Sequence, residues 1–146
     1  MSVISVVFSQ YLAVDTSAIM ALLDPQEQYH AQAVDFFSKA QSEGAVWHAL
    51  NVTTHELYTR VRYNHRNLQL ALSRYDYLRA APFRPLQFDA SDENEARSLI
   101  AKHHDQVLSY HDALCAAVMF REGIYKIFSF DRDFWVFGFE IYPGQT

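Results

Sequence analysis

Five acidic residues fall where this sequence passes from one kind of element to the next. In "YLAVDTSAIMALL" (residues 11–23), Asp15 separates a strand-like apolar run, Tyr11–Val14, from a helical run that begins near Ala18. In "FSFDRDF", Asp131 and Asp133 follow a second strongly apolar strand. Glu56 in Thr53-x-x-Glu56 and Asp112 in Ser109-x-x-Asp112 fall in the first turns of helical patterns. Each acid alone has an ordinary explanation. Asp15 fits an N-cap, Glu56 and Asp112 fit capping boxes, and Asp131 and Asp133 fit turn formers. The "SDENE" cluster at 91–95 shows that ordinary case, with acids opening a helix and no strand running into it.

Taken together the acids point elsewhere. Asp15 and Asp131 both lie at carboxyl ends of strands, where an open parallel sheet binds its ligand. First-turn residues such as Glu56 and Asp112 can project over the same edge. Carboxylates gathered there repel one another unless a cation lies between them. All the candidate ligands are oxygens, which selects Mg²⁺ or Mn²⁺ over zinc.

The elements needed to position these acids are legible in the hydrophobic pattern. Strand-like runs at 11–14, 45–49, 85–88, 125–130 and 139–143 alternate with helical patterns. These are 18–23, 28–44 with Gly44 as its stop, 53–64, 68–81, 91–104 and 109–123. Such alternation implies right-handed crossovers and a mostly parallel sheet with helices on both faces, an α/β fold. Cys115, with Ala113, Ala116 and Ala117, reads as a small core residue that lets its helix approach the sheet.

Composition bounds the rest. The chain has 146 residues, half of them hydrophobic, with four Gly and four Pro, which suits one ordered domain. A single cysteine rules out an internal disulfide framework and suits a reducing compartment. No apolar run reaches the roughly 20 residues of a membrane span, and "MSVISVVF" lacks the basic start and cleavage site of a signal peptide. A cytoplasmic protein is expected. The net charge is −5, yet six of the 12 Lys and Arg (Arg60, Arg62, Arg66, Arg74, Arg79 and Arg84) fall between residues 57 and 88, with Asp76 the only acid among them. Two readings stand side by side: a stripe that tracks a phosphate backbone, and a solvated face of arginines lying over apolar neighbours.

The order "VDTSAI", "THELYTR", "YHDALCAAVM", "FSFDRDF" resembles the PIN-domain ribonucleases, and among them the toxin halves of VapBC toxin–antitoxin pairs. The resemblance runs from about residue 11 to the end, leaving residues 1–10 as an extension before a PIN-like domain at 11–146. It implies a three-layer α/β/α sandwich whose five-stranded parallel sheet has the order 3-2-1-4-5. By position it makes Asp15, Glu56, Asp112 and Asp131 the acidic site and Asp133 an auxiliary acid. Thr16, Ser17 and Ser129 become hydroxyls near the metal or the attacking water. His55 and His111 flank Glu56 and Asp112 but point roughly 100° away on their helices. His111 and Cys115, four residues apart, lack the two further ligands that zinc needs.

The expected activity is metal-assisted hydrolysis of an RNA phosphodiester by a Mg²⁺- or Mn²⁺-dependent ribonuclease, leaving a 5′-phosphate and a 3′-hydroxyl. Glu56 or Asp133 would orient the water, and Arg60, Arg62 and Arg66 would hold the RNA backbone. The expected partners are RNA, a small DNA-binding antitoxin and a second copy of the chain, since 11 Phe and 9 Tyr are many for one small core. The antitoxin would set an Arg or Lys into the acidic site and pack along a groove between helices near 17–42 and 51–80; Tyr29, Phe36, Phe37 and Tyr58 are candidates either to line that groove or to fill the core. A metal-dependent phosphatase is the enzyme alternative, but its second Asp is replaced by Ser17. A phospho-accepting receiver would want a Lys late in its strand, where Lys126 lies early, and no Gly-rich phosphate loop is present. The non-enzyme alternative is a PIN-like module that binds RNA or protein without cutting.

Overall fold

The computed structural model describes residues 10–144, so the expected extension at 1–10 lies, but for Gln10, outside the described residues. Five strands, β1 (Tyr11–Val14), β2 (Val46–Leu50), β3 (Phe83–Leu86), β4 (Lys126–Phe128) and β5 (Glu140–Tyr142), form one sheet. Its order is β3-β2-β1-β4-β5, with every pairing parallel. The six α-helices are α1 (Thr16–Leu23), α2 (His30–Ser42), α3 (Asn51–His65), α4 (Leu68–Leu78), α5 (Ala90–Lys102) and α6 (Tyr110–Glu122), and a 3-10 helix covers Arg132–Phe137.

The period-2 alternation of side chains along each strand sorts the core into two layers. Leu12 and Val14 of β1, Trp47 and Ala49 of β2 and Phe128 of β4 pack with α1 to α4. Ala13, Leu50 and Ile127 face the other way, against α5, α6 and the 3-10 helix. The result is the three-layer sandwich. On the α6 side, Ala113, Cys115, Ala116 and Ala117 are buried, as their small size requires of a helix lying close to a sheet. On the other side bulky rings fill the space: Phe37 stacks on Trp47 at 4.7 Å and Phe36 meets Phe128 at 5.1 Å.

Several element boundaries differ from the sequence pattern. β3 starts two residues early, at Phe83, and its Pro85 is tolerated because β3 is an edge strand. β4 ends at Phe128 rather than Phe130, with one further backbone bond to β5 from the Ser129 N–H. α2 stops at Ser42, with Gly44 just beyond it at φ +89°, a left-handed conformation that glycine adopts without strain. α3 begins at Asn51 with Leu50 as N-cap, so Thr53 is not a capping residue. Thr53 is instead buried, its hydroxyl 3.6 Å from the Cys115 sulfur. The "SDENE" helix begins one residue earlier than its acids imply and is capped by Asp89, in a full capping box with Asp92. Asp92, buried, also takes two hydrogen bonds of 2.9 Å from Arg121, which ties the end of α6 to the start of α5.

Candidate metal centre

The strand order reverses between β1 and β4: the chain runs from β1 outward through β2 and β3, then returns to the other side of β1. A crevice at the carboxyl ends of strands on either side of such a reversal is where open α/β sheets bind ligands. Asp15 follows β1 and Asp131 follows β4 by three residues, so both stand at this reversal.

Asp15 is in the N-cap position of α1, yet its side chain makes no capping bond. Its carboxylate oxygen Oδ2 accepts instead from the Ser17 hydroxyl at 2.7 Å and the Ser129 hydroxyl at 2.8 Å. Each serine is itself an acceptor. Ser17 Oγ receives the Phe130 N–H at 3.0 Å, and Ser129 Oγ receives the Asp131 N–H at 2.9 Å. Two relays of hydrogen bonds thus run from the backbone after β4, through a hydroxyl, to Asp15. They orient Asp15 and fix the loop that carries Asp131. Thr16, expected with these hydroxyls, is buried with its Oγ1 unpaired among the described residues.

Asp131 caps the 3-10 helix, accepting the Asp133 N–H at 2.9 Å. This short turn brings Asp133 back beside it. Asp112 arrives from α6, where Ser109 is the N-cap and accepts the Asp112 N–H at 3.0 Å. Among the described residues the Asp112 carboxylate completes no capping box with the Ser109 backbone, and the Ser109 side chain opposes the rise of its pKa. Carboxylate oxygens of Asp112, Asp131 and Asp133 lie within 4.8 Å of one another. Asp133, expected as an auxiliary acid, is therefore a full member of the closest group, while Asp15 and Glu56 are not members.

The neighbouring charges nevertheless bear on Asp15 and Asp112. Burial holds the Asp15 carboxyl above its usual range, the charges of Glu56 and Asp131 raise it further, and the two serine bonds oppose the rise. Asp112 is pushed up to about 7, first by burial and then by the charges of Asp15, Asp131 and Glu56. An oxygen-only set of mutually repelling, partly desolvated carboxylates fits a divalent cation.

Two features near the acids had no clear sequence signal. His111 Nδ1 lies 3.7 Å from Glu56 Oε2, joining α6 to α3 across the crevice. His55 turns away from the acids and lies nearly parallel to the Tyr75 ring, at 10° and 6.4 Å. Cys115 is buried, with its thiol pushed up by burial, so it is no partner for the exposed His111 in a zinc site. The basic segment does not form one stripe. Arg62 and Arg66 line a cavity of 560 Å³ with Tyr58, Thr59 and Tyr63, and Arg60 is exposed nearby on α3. Arg74 borders a separate apolar groove, and Arg79 a third cavity. Phe36 and Phe37 are core residues and Tyr29 stacks on Phe130 at 4.7 Å, so these three do not line that groove.

Residues 12–139 match the PIN domain family model. Among solved structures, Mycobacterium tuberculosis VapC20, described as a Sarcin-Ricin loop cleaving toxin, aligns with a TM-score of 0.78 at 25% identity, over 88% of this chain and 95% of that one. FitAcB from Neisseria gonorrhoeae aligns at 0.66 with 21% identity, over 89% and 95%. VapBC2 from Rickettsia felis, bound to a fragment of promoter DNA, aligns at 0.64 with 12% identity, over 90% and 96%. The last two likenesses concern the fold. No curated protein matches the chain by sequence. The family match spans all five strands but the last and includes every acid of the crevice, and on that extent the chain is a member of the PIN-domain family.

Proposed function

We propose that this protein is a divalent-metal-dependent endoribonuclease and the toxin of a toxin–antitoxin pair. The observation that carries this reading is the group Asp112, Asp131 and Asp133, with oxygens within 4.8 Å at the strand-order reversal and Asp15 held beside them by two serines. Membership of the PIN family and the likeness to a toxin that cleaves the sarcin-ricin loop support it.

Asp15, Asp112, Asp131 and Asp133 would hold Mg²⁺ or Mn²⁺, which when bound supplies positive charge to activate water and to stabilise the scissile phosphate. Ser17 and Ser129 keep the Asp15 carboxylate aimed while substrate enters. Glu56, on the far wall beside His111, is placed to orient the attacking water and accept its proton. The water oxygen would bond to phosphorus as the P–O3′ bond breaks and the departing O3′ takes a proton from solvent, which leaves a 5′-phosphate and a 3′-hydroxyl. Arg62 and Arg66 lie roughly 9–15 Å along α3 from Glu56, at 1.5 Å per residue, where they can neutralise phosphates upstream or downstream of the cut.

The antitoxin reading rests on the groove between α1, α3 and α4. Met20, Leu23, Leu57, Val61 and Leu70 line it, with Asp24, His65 and Arg74 at its rim. Apolar side chains of a partner segment would seat there while an Arg or Lys of that segment pairs with the acidic crevice in place of metal.

The test is cleavage of a structured RNA with Mg²⁺, with Mn²⁺ and with EDTA, by wild type and Asp131→Asn. Cleavage with either metal that is lost with EDTA and reduced by orders of magnitude in the variant is expected. Equal cleavage by the variant, or cleavage that persists in EDTA, would refute the metal-centre reading.

A further inference from the structure

We propose that a cavity of 400 Å³ over the carboxyl ends of β2 and β3 is a nucleobase subsite, which holds one unpaired base of the RNA strand that the acidic crevice cuts. The inference rests on the nuclease reading above and adds to it the part of the substrate that the acids do not touch.

The cavity lies on the same sheet edge as the acids. Neighbouring strands are about 4.8 Å apart, so its floor over β2 and β3 is one to two strand spacings from Asp15 after β1. Adjacent nucleotides of a single strand span such a distance. Helix α3 divides the two regions: His55 enters the cavity, and the next residue, Glu56, turned by about 100°, faces His111 and the acids.

The lining has the chemistry of a base site. Tyr75 offers a planar ring, with His55 near parallel to it at 10° and the Arg79 guanidinium 5.1 Å from its centroid. Aromatic faces next to a cation bind bases of single-stranded nucleic acid by stacking. Two amides complete the wall. Asn51 Oδ1 accepts the Phe88 N–H at 3.4 Å, which directs the Asn51 NH₂ donors away from that strand connection. The Gln87 carbonyl accepts from Arg121 at 2.8 Å, which anchors its backbone and leaves its side-chain amide to the cavity. Stacking would hold any base, while the amides would distinguish one base edge from another. The cavity carries no carboxylate, in contrast to the crevice beside it.

Nucleoside 5′-monophosphates are the direct probe. AMP, GMP, CMP and UMP are titrated singly, at millimolar concentration without metal, while the NMR resonances of Asn51, His55 and Gln87 are followed. At least one nucleotide should shift these resonances. Tyr75→Leu, which keeps the bulk but removes the ring, should weaken that binding about tenfold, and Tyr75→Phe should restore it. In RNA cleavage, Asn51→Ala should flatten the preference among bases next to the cut by about tenfold. If none of the four nucleotides moves the cavity resonances, or if Tyr75→Leu binds as tightly as wild type, the inference is overturned. Because the titration needs neither metal nor cleavage, an RNA-cleaving protein with an inert cavity refutes the subsite alone. Nucleotide binding at the cavity of a protein that cleaves no RNA supports the subsite and refutes the nuclease.

Discussion

Replacing Asp112 by Asn should make the metal-free protein more stable, and only at higher pH. The Asp112 carboxyl has a value of about 7 in the fold against 3.8 in the unfolded chain. Between those values the native state keeps a proton that the unfolded state has released, so this group lowers stability as pH rises from about 4 to 7, with no further loss above that. At 1.36 kcal/mol per pH unit, the full shift corresponds to about 4 kcal/mol. Asp112 is partly exposed, and solvent screening brings the effect down to about 1–2 kcal/mol. One effect opposes it: an ionised Asp in the first turn of α6 favours the helix dipole by about 0.3–1 kcal/mol, which is smaller. In EDTA at pH 8, Asp112→Asn should therefore unfold in urea with about 1 kcal/mol more stability than wild type, and at pH 4.5 the difference should vanish. The buried Trp47 gives a fluorescence signal for the transition. Saturating Mg²⁺ should reverse the order at pH 8, because only the wild type keeps the ligand set. A variant less stable than wild type at pH 8 in EDTA would refute the account of Asp112 as a carboxylate held against its neighbours.

Other perturbations separate the site from its scaffold. Ser129→Ala removes a donor to Asp15 and the acceptor of the Asp131 N–H. It should cost about 1–3 kcal/mol of stability and at least tenfold in RNA cleavage, read by urea unfolding and initial rates. Arg121→Ala leaves the buried Asp92 carboxylate without its cation, with only the Asp89 N–H to hold it, and should destabilise the fold by about 3 kcal/mol, a loss that Asp92→Asn in the same chain should partly recover. Leu68 and Leu72 are exposed, one turn apart on α4, an apolar strip on which the expected homodimer can be tested. Leu72→Glu should shift sedimentation from dimer to monomer, and a wild type that sediments as a monomer at micromolar concentration removes that expectation. A partner segment with a central Arg should lose its hold on Leu70→Glu, which places a charge at the partly exposed wall of the groove, in a pull-down against the wild type.

The sequence carried the order of elements, because each strand and helix has its own hydrophobic period and its own stop. Tyr11–Val14 was legible to the residue, being a fully apolar run ended by an acid. "YKIFSF" alternates like a strand throughout, and the Ser129 N–H still bonds the Tyr142 carbonyl of β5 at 2.9 Å, but its hydroxyl is committed to Asp15 and the Asp131 N–H and the regular strand has ended at Phe128. That commitment depends on a partner 114 positions away and leaves no local trace. The acids at strand ends were legible for the opposite reason, because chain position alone puts them at one edge. The rank of Asp133 was not, since the 3-10 turn that folds it back onto Asp131 has no distinctive period. Thr53 misled because a Ser/Thr three residues before an acid looks the same whether it opens a helix or lies buried in its first turn. The aromatic residues assigned to a groove were assigned by type. Trp47 and Phe128, distant in sequence, decide that Phe36 and Phe37 belong to the core.

The pairing of β4 with β1 has a consequence for the time at which activity can arise. It joins residues 12–14 to residues 126–128, the two ends of the described chain, at the centre of the sheet. Contacts this far apart in sequence are slow to close and cannot form until the later partner exists. During synthesis, a chain that has emerged through α6 already carries Asp15, Glu56 and Asp112, but it lacks the strand that seats Asp131 and Ser129, the second of the two serines that aim Asp15. No partial chain holds a complete acidic crevice. Whatever chemistry the acidic crevice supports therefore waits until the last strands have left the ribosome.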